Sequence, residues 1–194
     1  MASSSKAITQ RAALIPVLAE VFRNFGYEGA SLARLGEATG LGKGSLYHLF
    51  PDGKDEMCTA VLADIDDWFQ REVFQPLRDG PDPQAGIAHM FAQVEAYFLS
   101  GRKVCLVGVF ALVNVRDRFA ISVHSYFADW TRALQAALER SGHAPADAAM
   151  LAEEVVAAMQ GGLVLARALD DPAVFVRTLR RWQQRLHTEP RSAV

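Results

Sequence analysis

The sequence predicts an all-α protein. Apolar residues recur at the helical spacing of three and four, as in Phe175, Leu179, Trp182 and Leu186. No strand-like alternation longer than a few residues interrupts this pattern, and the breaks between periodic segments fall at glycines and prolines. We expect about nine helices on this basis.

The first three helices have the clearest boundaries. A first helix is predicted over about residues 6–25, ended by Gly26. Ser31 is expected to cap a second helix through its hydroxyl, and Gly40 to end that helix in a left-handed conformation. A third helix is predicted from Lys43 to about Phe50. The two short helices and the turn between them form a helix-turn-helix.

The third helix has two different sides. Leu46 and Phe50, four residues apart, are predicted to be buried. The polar residues of the outer side are then Lys43, Ser45, Tyr47 and His48. A short helix whose exposed side holds only cations, hydroxyls and an imidazole suits the major groove of DNA.

These residues carry a family resemblance. In order along the chain they are Phe22, Gly26, Tyr27, Ser31, Gly40, the run Lys43-Gly44-Ser45-Leu46-Tyr47-His48, Phe50 and Lys54. The stretch resembles the N-terminal domain of the tetracycline-repressor-like (TetR/AcrR) regulators. The resemblance implies a DNA-binding transcriptional regulator that acts as a homodimer on palindromic operator DNA, most often a repressor released by a small hydrophobic or aromatic effector.

The pattern is not complete. Gly42 stands where a serine usually caps the recognition helix, so one hydroxyl facing the phosphates is missing. Leu49 replaces a histidine or tyrosine that commonly reaches the DNA backbone in such proteins. Both departures predict a modest affinity for each half-site.

Residue chemistry and the resemblance together select the DNA-binding residues. They are Ser31, Arg34, Lys43, Gly44, Ser45, Tyr47, His48 and Lys54. Tyr47, Lys43 and Lys54 suit phosphate oxygens, whereas Ser45 and His48 suit base edges. The alternative for each is an ordinary packing or solvated side chain.

The rest of the chain predicts a helical bundle. Asp52 and Asp55 fit a capping box that opens a long fourth helix, which should fail near Pro76. Further helices follow, including a short buried one over residues 103–114. We therefore divide the chain into a helix-turn-helix DNA-binding domain at residues 1–54 and a helical ligand-binding and dimerisation domain at residues 55–194.

Two sets of residues in the bundle are candidate sites. An effector pocket is predicted from aromatic and polar residues of the middle helices: Trp68, Phe69, His89, Phe91, Tyr97, Phe98, Phe110, Asn114, Phe127 and Trp130. A dimer interface is predicted from two helical stripes: Leu151, Val155, Ala158, Gly162, Leu165, Phe175, Leu179, Trp182 and Leu186. A plain hydrophobic core would show the same aromatic stripe, and either interface stripe can instead face its own core.

Composition agrees with a folded regulator and bounds the alternatives. The net charge is −2 overall, but residues 1–54 carry +2 and residues 55–194 carry −4, which places the cations at the predicted DNA-binding end. The sequence shows no signal segment and no uninterrupted apolar run of about 18 residues, so we expect a cytoplasmic protein without a membrane partner. Cys58 and Cys105 lack metal-ligand spacing, which favours buried thiols over a redox sensor.

Two rival functions are weighed. No catalytic triad order, metal-spaced histidine pair or nucleotide-binding glycine motif is present, so we predict neither an enzyme nor a cofactor or metal site. A helical small-molecule-binding or adaptor protein with degenerate DNA binding is the alternative, and a small all-α enzyme is the least favoured.

Overall fold

The structure is all-α. The computed structural model describes residues 2–114 and 117–188, with side chains from residue 9 to residue 187 within those ranges. In chain order the α-helices are α1 (Ala2–Gly29), α2 (Leu32–Thr39), α3 (Lys43–Leu49), α4 (Lys54–Phe69), α5 (Gln75–Asp79), α6 (Pro83–Tyr97), α7 (Leu106–Ala111), α8 (Ala120–Arg140), α9 (Pro145–Ala168) and α10 (Ala173–Thr188). A π-helix (Gln70–Phe74) joins α4 to α5, and a 3₁₀ turn (Leu99–Gly101) follows α6. Because α4, the π-helix and α5 run without a break, the described residues form nine α-helical segments and no strand, which confirms the predicted fold class.

Local chemistry explains where most helices begin and end. Gly26 leaves the helical conformation inside α1 (φ 64°, ψ 179°), so the predicted end is a kink followed by one more turn. Asp82 caps α6 by accepting from two backbone N–H groups, with a proline at the first helical position. Asp171 accepts from the Ala173 N–H at 3.0 Å at the start of α10.

The described residues divide into two compact units. Unit 1 takes its residues from Met1–Asp66 and Leu106–Val123, and unit 2 from Asp67–Cys105 and His124–Val194. Two helices, α4 and α8, each contribute residues to both units.

Each unit has its own hydrophobic core. In unit 1, Leu18, Phe22, Leu35, Leu46 and Phe50 are fully buried, which fixes α1 to α3 against one another. In unit 2 the core is aromatic, and its fully buried members include Phe69, Phe74, Phe98, Tyr126, Trp130 and Phe175.

The short helix predicted over residues 103–114 is shorter than expected. Only Leu106–Ala111 is helical, and Leu112 and Val113 are exposed by 82% and 45%. The apolar run in the sequence is therefore longer than the helix, because only the first part of the run packs against the core of unit 1.

Candidate nucleic-acid interface

The turn between α2 and α3 is tight. Ser31 accepts a hydrogen bond from the Arg34 N–H at 3.3 Å and so caps α2 as predicted. Gly40 then takes the left-handed conformation (φ 69°) that ends α2. A Cβ atom added to Gly36 would lie 2.9 Å from the Leu41 carbonyl oxygen. The small residue at this point therefore lets the turn close against α2.

The buried side of α3 contains one residue more than predicted. Leu46 and Phe50 are fully buried as expected, and Leu49 is only 7% exposed. Residues 46, 49 and 50 share one face at helical spacing. Leu49 is therefore part of the core and not a weakened DNA contact.

The opposite side of α3 is exposed and free of acidic groups. The structure brings Lys43, Gly44, Ser45, Tyr47 and His48 together on this surface, which we call the reading face. At Gly44 a Cβ atom would meet nothing within 4 Å, so the backbone of α3 is accessible there. Gly42 supplies no side-chain hydrogen bond to cap the helix.

The Tyr47 ring packs on Gly53, and part of the side chain stays exposed to solvent. Its side chain is 39% exposed. A Cβ atom added to Gly53 would lie 3.1 Å from Tyr47 Cε1, and Gly53 has a φ of 67°. The glycine therefore provides both the left-handed turn before α4 and the flat surface on which the phenol rests.

Two predicted DNA-binding cations already have partners in unit 1. Arg34 Nη1 donates to the Gly29 carbonyl at 2.7 Å, and its guanidinium lies 4.5 Å from the Phe25 ring centroid. Lys54 Nζ donates to the Tyr27 carbonyl at 3.0 Å and lies 4.1 Å from the Tyr27 ring centroid. Both cations thus stabilise the end of α1, and fewer of their donors are left for phosphates.

Arg11 anchors the end of α3, a role that the sequence analysis missed. Its Nη1 atom donates to the Leu49 carbonyl at 3.0 Å and to Glu56 Oε1, and its guanidinium lies 4.5 Å from the Phe50 ring centroid. Glu56 Oε2 accepts from the Asp52 N–H at 3.0 Å. Glu56 therefore accepts from the backbone just before α4, and the prediction that Asp52 and Asp55 form a capping box is wrong.

The charge on Glu56 is favoured by this arrangement. Partial burial raises the pKa of Glu56, but the hydrogen bonds from Arg11 and from the Asp52 N–H lower the pKa more, so that it lies below its ordinary value. No local sequence signal pairs Arg11 with a residue 45 positions away.

Asp55 instead belongs to a polar cluster with Tyr27 and Arg118. The Tyr27 hydroxyl donates to Asp55, and Arg118 Nη1 donates to the Tyr27 hydroxyl at 2.7 Å and to the Asp55 carboxylate at 2.8 and 2.9 Å. Burial, together with the Asp55 charge and hydrogen bond, raises the pKa of Tyr27 to about 12. The Tyr27 and Arg118 hydrogen bonds hold the pKa of Asp55 below its usual value. Sequence reasoning missed this cluster because its members lie far apart in the chain.

Seven of the ten predicted effector-pocket residues lie in unit 2 as aromatic groups. Around Phe69, the ring centroids of Tyr97, Trp130 and Phe98 lie at 4.9, 5.4 and 6.2 Å, and Trp68 lies 4.5 Å from Tyr97. We call these five residues the aromatic cluster. Phe91 is buried, and Phe127 is half-buried with its ring 5.0 Å from Tyr126. Close ring packing of this kind is that of a core, which is the alternative that the sequence left open.

The other three predicted pocket residues lie apart from the aromatic cluster. His89 is exposed on α6, and Asn114 is exposed beyond the end of α7. Phe110 belongs to unit 1, where its ring stacks on Phe119 at 5.6 Å. The sequence pattern groups these residues by their chemistry. Their positions depend instead on which side of each helix faces the core and on which unit the helix belongs to.

Most of the predicted dimer interface is buried inside a single chain. The residues covered by their own unit are Leu151, Val155, Gly162, Phe175, Leu179 and Leu186. A Cβ atom added to Gly162 would lie 3.3 Å from Phe175 Cδ2 and 3.4 Å from Thr178 Cβ, so α9 and α10 pack closely on each other there. These six residues are covered within their own protomer, and their part in a dimer interface stays a prediction.

A different face of α9 is open. Ala158 and Trp182 are half-buried, whereas Leu165 is 50% exposed. The exposed apolar face of α9, which we call the open face, consists of Met150, Ala157, Gly161, Val164, Leu165 and Ala168. Among the described helices, α9 alone is long and apolar enough to span a membrane by length and composition, with a mean hydropathy of 1.4. Its packing against α10 identifies it as a core helix with one apolar face left uncovered.

Comparison with known proteins identifies the class of molecule. Residues 14–61 match the family described as bacterial regulatory proteins, tetR family. Residues 83–181 match the family described as transcriptional regulator LmrA/YxaF-like, C-terminal domain, which alone covers half of the chain. The chain therefore belongs to the TetR family of DNA-binding transcriptional regulators, and it is not an enzyme.

Individual relatives agree with this assignment. The HTH-type transcriptional regulator LmrA of Bacillus subtilis (strain 168) is 21% identical over 160 residues, which cover 80% of this chain and 85% of that protein. A TetR-family regulator from Agrobacterium tumefaciens shares the fold with a TM-score of 0.78 at 18% identity, covering 92% of this chain and 98% of that one. A cysteine mutant of the TetR-family regulator CifR, solved in complex with 26bp double-strand operator DNA, matches at 25% identity with a TM-score of 0.69, covering 92% of this chain and 96% of that one.

Proposed function

We propose that this regulator is a cytoplasmic repressor that binds a palindromic operator as a homodimer and is released by a small hydrophobic or aromatic effector. Residues 1–54 would contact DNA, and residues 55–194 would bind the effector and the second protomer. The observation that carries the proposal is the reading face of α3, which is exposed, free of acidic groups and held by a buried opposite side.

The reading face suits insertion into a major groove. Lys43 at the helix start and the supported phenol of Tyr47 would bind phosphate oxygens and set the position of the helix. Ser45 and His48 would face base edges, and Gly44 would allow close approach of the backbone. The operator complex of the relative CifR supports double-stranded DNA as the partner.

Dimerisation follows from the small number of contacts that one such domain makes. A two-fold pair would engage two half-sites about one helical turn apart, 34–36 Å or slightly more. In place of the buried stripes, we assign the contact to the open face of α9. Gly161 lies at its centre, where a Cβ atom would meet nothing within 4 Å in the protomer, so a partner helix can approach closely.

Effector release needs a ligand that prefers one arrangement of the dimer. A shift from 1:99 to 99:1 requires about 5.5 kcal/mol of difference in binding between the two states. A hydrophobic effector would bind at the aromatic cluster by separating rings that pack against one another in this structure, and the end of α4 carries two of them. If a titrated effector tightened operator binding, or if none changed it, this mechanism would fail.

The test is a gel shift with the intergenic DNA beside the protein's own gene. Wild type should shift a discrete fragment, and raising the salt concentration should weaken binding steeply, because counterions are released from the phosphates. Tyr47→Ala should weaken binding to all sequences alike, whereas His48→Ala should relax the preference at particular positions.

Tyr47→Phe serves as the matched control, since it keeps the ring on Gly53 and removes only the hydroxyl. It should fall between wild type and Tyr47→Ala. Equal sequence profiles for the Tyr47→Ala and His48→Ala variants, or a flat salt response, would contradict the assigned roles.

A further inference from the structure

Unit 2 contains a cleft whose lining includes no residue of the reading face or of the aromatic cluster. It lies between residues 101–104, which follow α6, and the segment from the end of α9 to Pro172, and its volume is about 460 Å³. Small-molecule sites span roughly 300–1,000 Å³. We propose that this cleft binds a small organic anion, namely a carboxylate or phosphate group attached to an apolar body. We call it the cation cleft.

The charge of the lining selects an anion. Arg102, Lys103 and Arg167 line the cleft, against the single carboxylate of Asp170. Within the described ranges, neither Arg102 nor Arg167 lies within ion-pair distance of a carboxylate. Nearby Arg177, by contrast, pairs with Asp171 at 2.9 Å. Guanidinium groups without a carboxylate partner are well suited to bind carboxylate or phosphate through paired hydrogen bonds.

The rest of the lining selects an apolar body for that anion. Val104 and Pro172 contribute half-buried aliphatic surface beside the cations, and the nearly buried Leu163 and Ala166 complete the apolar lining. Inorganic phosphate would leave this surface in contact with water. A ligand with one anionic end and one apolar end would cover both kinds of surface.

Backbone strain is concentrated at this cleft. Among the described residues, the non-glycine residues with positive φ are Leu99 (50°), Ser100 (52°) and Asp170 (51°). Leu99 and Ser100 lead into one wall of the cleft, and Asp170 forms part of the other. Left-handed non-glycine residues are unfavourable and persist where the surroundings enforce them, and they cluster at binding sites.

The two walls of the cleft are also in close contact at Gly101. Gly101 has a φ of 96°, and a Cβ atom there would lie 2.8 Å from the Pro172 carbonyl oxygen and 2.9 Å from Phe175 Cβ. The backbone contact leaves no room for the walls to move closer. The cleft is therefore preorganised, which lowers the cost of ordering it around a ligand.

Lys103 connects the cation cleft to the aromatic cluster. Its Nζ atom lies 3.9 Å from the Tyr97 ring centroid, and Tyr97 packs against both Trp68 and Phe69 at the end of α4. An anion that attracts the Lys103 ammonium group into the cleft would weaken its contact with the Tyr97 ring. The anion would then act as an effector, a step that rests on the proposed function.

Binding is tested first, without DNA, by titration calorimetry on the full chain. Benzoate and phenyl phosphate are the anionic probes, and benzyl alcohol is the neutral probe of similar size. We expect each anion to bind at least about tenfold more tightly than the alcohol, because charge-assisted hydrogen bonds are lost with the neutral probe. Arg167→Gln and Arg102→Gln should each weaken anion binding by about tenfold or more, whereas Arg180→Gln, an exposed arginine of α10 outside the lining, should leave it unchanged.

Three results would overturn the anion site: no heat from either anion at millimolar concentration, equal binding of the alcohol, or equal loss in the Arg180→Gln control. The effector step is tested separately by the gel shift. Phenyl phosphate should weaken operator binding of wild type and leave Arg167→Gln unaffected; binding without any change in operator affinity would overturn the effector role. Absence of operator binding without any ligand would count against the proposed function alone, since the calorimetry still decides the site.

Discussion

Replacing Gly44 by alanine should change stability and DNA binding in opposite directions. Gly44 is an exposed helical residue of α3, and a Cβ atom there would meet nothing within 4 Å. Alanine loses less conformational freedom on folding than glycine does, by about 0.5–1 kcal/mol in a helix. Since Gly44 lies in the first turn, we expect about 0.5 kcal/mol of added stability.

DNA binding should weaken because the new methyl group lies on the reading face. If the methyl group forces α3 outward and one charge-assisted hydrogen bond per half-site is lost, the cost is about 1.5 kcal/mol for each protomer. The proposed dimer uses two half-sites, so the loss is about 3 kcal/mol, or about 100-fold in affinity.

Two measurements on the same preparation decide this prediction. Urea unfolding gives the change in stability. Fluorescence anisotropy with operator DNA gives the change in affinity. A Gly44→Ala variant that binds DNA as tightly as wild type would show that the backbone of α3 does not approach the duplex.

Four further substitutions test other parts of the structure. Gly42→Ser should add the missing N-cap of α3, stabilise it by a few tenths of a kcal/mol and tighten operator binding in a gel shift; weaker binding would contradict this. The folded-state pKa of Asp55 is depressed, so the stabilising contribution of its charge is present above the ordinary pKa of 3.8 and is lost as pH falls through the folded value. In Asp55→Asn, the free energy of unfolding measured with urea should therefore fall less at acid pH than in wild type. The pKa of Tyr27 is raised to about 12, so its contribution to stability is complete below its ordinary pKa of 10.0 and is lost as pH rises through about 12. Tyr27→Phe should remove this loss of unfolding free energy at alkaline pH. Trp130→Ala should cost about 3–5 kcal/mol in thermal or urea unfolding, since this fully buried ring packs against Phe69, and a loss under about 1 kcal/mol would contradict tight packing there.

The sequence predicts the local structure of α2 and α3 well because its signals there are local. The Ser31 cap, the left-handed Gly40 and the four-residue spacing of Leu46 and Phe50 each depend on neighbours within one or two turns. Those neighbours determine the helix ends and the rotation of α3. The exposed side of α3 follows from that rotation without any knowledge of distant contacts.

Contacts between distant residues could not be predicted in the same way. Arg11 binds Glu56 across 45 positions, and Arg118 binds Asp55 across 63. Nothing in the local pattern distinguishes these arginines from solvated ones. Their partners are known only once the helices are packed.

The helical bundle shows a second limit of prediction from the sequence. An apolar stripe such as Leu151 and Val155 indicates which face of a helix is buried, but not whether the same chain or another protomer covers it. Here that face is buried within the protomer, which moves the proposed dimer contact to Gly161 and its neighbours on the open face. The aromatic cluster raises the same question, because the spacing of its residues is the same in a core and in a cavity.

Footprinting of the DNA that flanks the protein's own gene tests the central claim most directly. We expect two protected half-sites related by a two-fold axis, with centres about one helical turn or slightly more apart. We also expect Tyr47→Ala to remove this protection while the protein stays folded. Protection of a single unrepeated site, or protection that persists in Tyr47→Ala, would contradict a paired molecule that reads DNA through α3.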